Sequence, residues 1–286
     1  MPPMTSPRAL LNAWNVNAKR QLGQNFLSEP STAKAIVDRA GLSSDEIVLE
    51  IGAGLGALTV PAARRVQKVY ALETDGRIVD LLQTELLAAG VAEKVALLHA
   101  DILKFDIPKL AASEGVNQFT VLGNLPYHIS SQVLAKLVAE RAAVSRAVLM
   151  FQKEMADRIM AQPGGRDYGR LAVLVAYCAK VRPLLDVAAP RFYPRPKIDS
   201  AVLTFSFVEP PRPARDEAFL FQVVRAAFGQ RRKTLRNALA GGGINLSPAE
   251  AQAGLEAAGV DPARRAETLS VAEFVALSHA LLDQSL

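Results

Sequence analysis

A short apolar run, Val48-Leu49-Glu50-Ile51, breaks into glycines at every second position, Gly52-Ala53-Gly54-Leu55-Gly56-Ala57. A buried strand that ends in such a turn and opens a helix has few uses. Without Cβ atoms the backbone passes close to a ligand, and the helix start presents free amides to it. The glycine turn alone fits S-adenosylmethionine, fits a dinucleotide if Ala57 takes the last glycine's place, and fits plain close packing.

The flanking sequence repeats the theme. From Glu46 to Gln152, β-branched runs alternate with helical periodicity, the pattern of parallel βαβ units. Strands are expected at Ile47–Ile51, Lys68–Glu73, Val95–Ala100, Phe119–Asn124 and Ala147–Gln152, with helices at Leu55–Arg65, Asp75–Ala88 and Ser130–Arg141. Ser28 as cap, Pro30 and Gly41 bracket an earlier helix, and Ala201–Val208 alternates like an antiparallel strand closing the sheet. Helices are expected near Glu217–Phe228, Arg231–Leu239, Pro248–Ala258 and Val271–Leu282. The fold class is α/β, a Rossmann-like sheet over residues 1–210 followed by a smaller helical domain over 211–286, divided at the prolines Pro210–Pro213.

Composition excludes several classes. Half of the 286 residues are apolar and 21% are charged, which suits a globular chain with a sizeable core. The one cysteine, Cys178, rules out an internal disulfide or a thiolate zinc cluster, and His99, His128 and His279 are not at ligand spacing, so no metal is expected. Neither a signal-peptide apolar region nor a hydrocarbon-tolerant stretch is visible, so a cytoplasmic, membrane-free protein is expected. The net charge of +5 favours polyanionic partners.

Three carboxylates mark the carboxyl edge of the expected sheet. Glu50 places a negative charge where a ligand amine needs one and a pyrophosphate does not, which favours S-adenosylmethionine over a dinucleotide. Glu73 ends the second strand, where it can accept from both ribose hydroxyls of either ligand. Asp101 can accept from the adenine amino group with the Ile102 amide beside it, or simply cap a turn.

The fourth strand ends in Asn124-Leu125-Pro126-Tyr127-His128. The lone pair of an adenine N6 amine is delocalised into the ring. Acceptors at both N–H bonds, here the Asn124 side-chain oxygen and the Leu125 carbonyl, favour a pyramidal nucleophilic nitrogen, and Pro126 fixes the turn. Tyr127 can stack on the base or serve the core. In-line attack on a sulfonium methyl needs orientation rather than a strong base, so His128 is set aside. Between Glu217 and Glu250 no acid occurs, whereas Arg231, Arg232, Lys233 and Arg236 cluster. A helix from Gln230 would put Arg232 and Arg236 on one face for RNA phosphates, against the alternative of a merely solvated basic surface.

These residues resemble the bacterial small-subunit (16S) ribosomal RNA adenine N6,N6-dimethyltransferases. The similarity runs from Arg20–Leu27 through the glycine turn and Asn124–Tyr127 to Phe228–Asn237, the most specific segment. The resemblance implies S-adenosylmethionine contacts at Asn25, Leu27, Gly52, Glu73, Asp101 and Asn124, and Phe192 as a second base-stacking residue beside Tyr127. It further implies dimethylation of two adjacent adenines in a hairpin near the 3′ end of that RNA, in a partly assembled subunit; a monomer is expected. His128, where the family more often has asparagine, is also found in the large-subunit enzymes of macrolide resistance. That activity, a nicotinamide-dependent dehydrogenase and a non-enzymatic assembly factor are the alternatives.

Overall fold

A computed structural model describes residues 6–230 and 232–284. In the first unit, up to Ala156 together with Val181–Phe207, helix α1 (Pro7–Ala13) leads through a 3-10 turn to the two-residue strand β1 (Phe26–Leu27) and α2 (Pro30–Arg39). There follow β2 (Ile47–Ile51), α3 (Thr59–Ala63), β3 (Lys68–Glu73), α4 (Gly76–Ala88), β4 (Val95–His99), α5 (Ile107–Ser113), β5 (Phe119–Asn124), α6 (Ser130–Ala139) and β6 (Val144–Gln152). After α7 (Lys153–Ile159) and α8 (Arg170–Cys178) come β7 (Ala179–Val187), β8 (Phe192–Tyr193) and β9 (Ser200–Phe207).

The main sheet runs β4-β3-β2-β5-β6-β9-β7. Its β2, β3, β4, β5 and β6 neighbours are parallel, and β9 returns antiparallel to β6. Strands covered on both faces read as continuous apolar runs, as β2 does. The strand order reverses between β2 and β5, where Ile51 stands opposite Gly123, so the glycine turn and Asn124 emerge side by side. Ligands of open α/β sheets bind outside such a switch point. A second ladder pairs β1 with β8, Leu27 opposite Phe192.

The second unit takes Asp157–Lys180 as well as the chain from Val208, so it does not begin at a single cut near Pro211. Side chains explain why. Tyr168 packs edge-on against Phe228 and Tyr177 against Phe221, while the Tyr177 hydroxyl donates to Glu217 at 3.0 Å. Its other helices are α9 (Glu217–Phe228), α10 (Leu235–Ala240), α11 (Pro248–Ala257) and α12 (Val271–Asp283), the last two closed by capping boxes.

Three helix starts differ from expectation. Gly52, Gly54 and Gly56 have φ of +74°, +55° and +82°, which no α-helix accommodates, so α3 starts only at Thr59. Ser28 is committed to the small ladder, its amide donating to the Arg191 carbonyl, so Glu29 takes the cap position of α2. The Leu235 and Arg236 amides donate to the carbonyls of Arg264 and Pro262, so α10 begins at Leu235 and Arg232 lies in the preceding turn rather than on a shared helix face.

Candidate active site

At the switch point lies a cleft with about 910 Å³ of empty space. Its walls contain Asn25, Leu27, Gly52, Glu73, Asp101, Asn124, Leu125, Pro126 and Tyr127, brought together from five separate stretches of chain. Of the residues expected at the reaction centre only Phe192 is elsewhere. At 3% exposure it packs in the core with Leu27 and Val202 and offers no ring face to the cleft. Its pairing with Leu27 instead backs the cleft wall.

The glycine turn is held by its own amides. Those of Gly52 and Ala53 both donate to the Leu72 carbonyl at 2.9 Å, and that of Gly54 donates to Glu73 Oε2 at 2.9 Å. Glu73 Oε1 accepts from the Thr74 and Asp75 amides at 2.9 and 3.0 Å. Burial pushes the Glu73 carboxyl above its ordinary range, and these three amides offset only part of the rise. Oε1 is taken up by two amides, so the lone pair left for a ribose hydroxyl is on Oε2.

Glu50 forms the floor. It is 1% exposed, and its Oε2 has no hydrogen-bond partner among the described residues. Burial raises its carboxyl to about 8 and the Glu73 charge adds to the rise, while the neighbouring Thr59 Oγ1 is likewise buried without a hydrogen-bond partner among the described residues. Burial without a partner keeps this carboxyl from ionising, and a ligand ammonium would supply the counter-charge that the ionised form lacks. Asp101 Oδ1 accepts from the Leu103 amide at 3.0 Å, so one oxygen serves a turn and the other remains for a ligand.

The reacting corner is preset. Asn124 Nδ2 donates to the Asn25 carbonyl at 2.9 Å, which identifies the amide nitrogen and leaves Oδ1 as an acceptor on a cleft-lining residue. The Tyr127 hydroxyl shares a 2.8 Å hydrogen bond with the buried Ser200 Oγ, fixing the ring from behind. His128 is exposed, its ring packed over Gly23, where an added Cβ would come within 2.9 Å of Nδ1.

Sequence reasoning missed four contributors: Gln24 and Phe26 in the wall, Thr59 beside Glu50, and Ser200 behind Tyr127. No periodicity marks them. Of the basic cluster, Arg231 lies outside the described residues. Arg232 and Lys233 are exposed in a turn, and Arg236, exposed on α10, donates to Gln252 at 3.3 Å. No helix among the described residues is long and apolar enough to cross a membrane. Nor do the described residues hold a group of three metal-ligating side chains.

Known proteins supply the same frame. A 49% identical relative, ribosomal RNA small subunit methyltransferase A of Desulforapulum autotrophicum, matches over 97% of both chains. The protein of that name from Geobacillus thermodenitrificans is 41% identical over 96% of this chain and 94% of its own. Among solved structures, a dimethyladenosine transferase from Plasmodium falciparum is 26% identical with a TM-score of 0.73, over 91% of this chain and 98% of that one. The 23S rRNA methyltransferase ErmE is 25% identical with a TM-score of 0.64, over 90% and 99%. The family model for ribosomal RNA adenine dimethylase matches residues 15–283, and the chain belongs to that family.

Proposed function

We propose that this protein dimethylates the N6 amino groups of two adjacent adenines in a hairpin near the 3′ end of small-subunit ribosomal RNA, using S-adenosylmethionine. The observation that carries the reading is the convergence of an orphaned Glu50, an amide-braced Glu73 and a pre-oriented Asn124 on one cleft at the switch point. The methionine ammonium belongs at Glu50, the ribose at Glu73 and the adenine at Asp101, with Asn25, Leu27 and Gly52 closing the walls. These residues fit the group in charge and hydrogen-bonding capacity. When bound, it supplies an electrophilic methyl on a sulfonium.

The chain's part is orientation. Asn124 Oδ1 and the Leu125 carbonyl accept the two N–H bonds of the target amine and direct its lone pair along the line of attack. Tyr127 holds the base by stacking, with Phe192 supporting the wall through its pairing with Leu27. The N6 proton that faces Oδ1 becomes acidic only after the methyl has been transferred and then leaves to water, so the site needs no strong base. Arg232, Lys233 and Arg236, with Arg231, contact RNA phosphates. The substrate is a partly assembled subunit in the cytoplasm and the enzyme acts as a monomer.

A ligand titration tests the cofactor. At 100 times its dissociation constant, S-adenosylhomocysteine should add roughly 2.7 kcal/mol of stability. Stabilisation by NADH with none from S-adenosylhomocysteine would overturn the reading.

A further inference from the structure

The segment Lys19–Leu27 supplies Leu22 to Leu27 to the cleft wall, yet its only regular structure is one 3-10 turn and the two-residue β1. Its far end is anchored by the pairing of Phe26 and Leu27 with β8. At its near end, the described side-chain hydrogen bonds and ion pairs that reach beyond the segment converge on Asp75. Asp75, 3% exposed, accepts from Gln24 Nε2 at 3.2 Å and pairs through the same Oδ2 with Lys19 Nζ at 3.1 Å and Arg77 at 3.4 Å. Gln24 Oε1 in turn accepts from the Lys19 amide at 2.7 Å.

Asp75 touches Glu73 directly and reaches Asn124 through Gln24 and Asn25. Its amide donates to Glu73 Oε1, and the Gln24 it holds precedes Asn25, whose carbonyl orients Asn124. We infer that Asp75 is a positioning residue, which locks the Lys19–Asn25 segment over the cleft and thereby sets the orientation of the Asn124 amide. The inference rests on the reading that Asn124 orients the target amine. A one-ångström shift at Asn25 would tilt Asn124 Oδ1 off the amine, at a cost in rate rather than in fold.

The test uses Gln24→Ala and Lys19→Met, which loosen the segment from the surface, beside Asp75→Asn, which keeps a residue able to cap α4. In the free protein, backbone amides of residues 20–27 should exchange faster and the Asn124 side-chain NH₂ resonance should shift. At saturating S-adenosylmethionine and RNA, the single-turnover rate should fall about tenfold or more in each variant. The losses should be non-additive in the Asp75→Asn, Gln24→Ala double variant, and Lys19→Arg should keep the wild-type rate. If Asp75→Asn fails to fold, the two surface variants decide. Wild-type rates and exchange in folded Gln24→Ala and Lys19→Met would overturn the inference, whereas an inactive wild-type protein would instead refute the proposed reaction.

Discussion

The Asn124 side-chain amide donates to the main-chain carbonyl of Asn25, 99 positions away in sequence, at 2.9 Å. The nitrogen is thus spent on holding the side chain, and the oxygen is left as an acceptor on a cleft-lining residue. The division explains why an amide serves here. A carboxylate could not donate to the Asn25 carbonyl, and an alanine would leave that carbonyl unpaired.

Replacing Asn124 by Ala should therefore lower the methylation rate by on the order of a hundredfold or more, with RNA affinity little changed. Single-turnover kinetics beside a filter-binding titration separate the two. Loss of rate and RNA affinity in equal measure would assign Asn124 a structural role.

Glu50 gives a pH signature. Its folded carboxyl is raised to about 8 from an ordinary value near 4.5, so the folded state holds the extra proton between those values. The native state then loses stability relative to the unfolded chain as pH rises through this window. Glu50→Gln should abolish that decline, so its stability relative to wild type should be greater at pH 8 than at pH 5. Because an ammonium prefers the ionised carboxylate, S-adenosylhomocysteine affinity should rise by up to about tenfold per pH unit below 8 in the wild type and stay flat in the variant. Calorimetric titrations at several pH values check it; equal slopes in both proteins would contradict it.

At Gly54 the turn admits no side chain. Its φ is +55°, and an added Cβ would lie 3.1 Å from the Phe26 ring in the cleft wall. Gly54→Ala should cost about 1–3 kcal/mol of stability and weaken cofactor binding, since it strains the amide that holds Glu73. Chemical denaturation with and without S-adenosylhomocysteine measures both. An unperturbed variant would show the turn to be looser than described.

The parallel strands were legible because they are buried on both faces, and β2, β3 and β5 fall at Ile47–Ile51, Lys68–Glu73 and Phe119–Asn124, as their apolar runs indicate. Glu50, Glu73 and Asn124 followed from the strand ends they occupy, and Asp101 from its place just after β4. The Lys19–Leu27 wall was not legible from periodicity, because its order comes from Asp75 and the β1–β8 ladder, both distant in sequence. Resemblance alone located Asn25 and Leu27. The Asp157–Lys180 segment joins the second unit through Tyr168 and Tyr177, contacts that no local pattern encodes.

The basic segment gives a graded expectation. Arg232 is exposed in a turn, whereas Arg236 donates to Gln252. Arg232→Ala should reduce the slope of log RNA affinity against log salt by roughly 0.7–0.9, with S-adenosylmethionine affinity intact, and Arg236→Ala should do less. An unchanged slope in the double variant would put the phosphate contacts elsewhere.

The most direct measurement maps N6-methylated adenines in ribosomal RNA after incubating the purified protein and labelled S-adenosylmethionine with immature small subunits lacking the modification. The account predicts N6,N6-dimethyladenine at two adjacent positions near the 3′ end of the small-subunit RNA, and none with Asn124→Ala. Label confined to other positions of that RNA, or no N6-methyladenine at all, would contradict it.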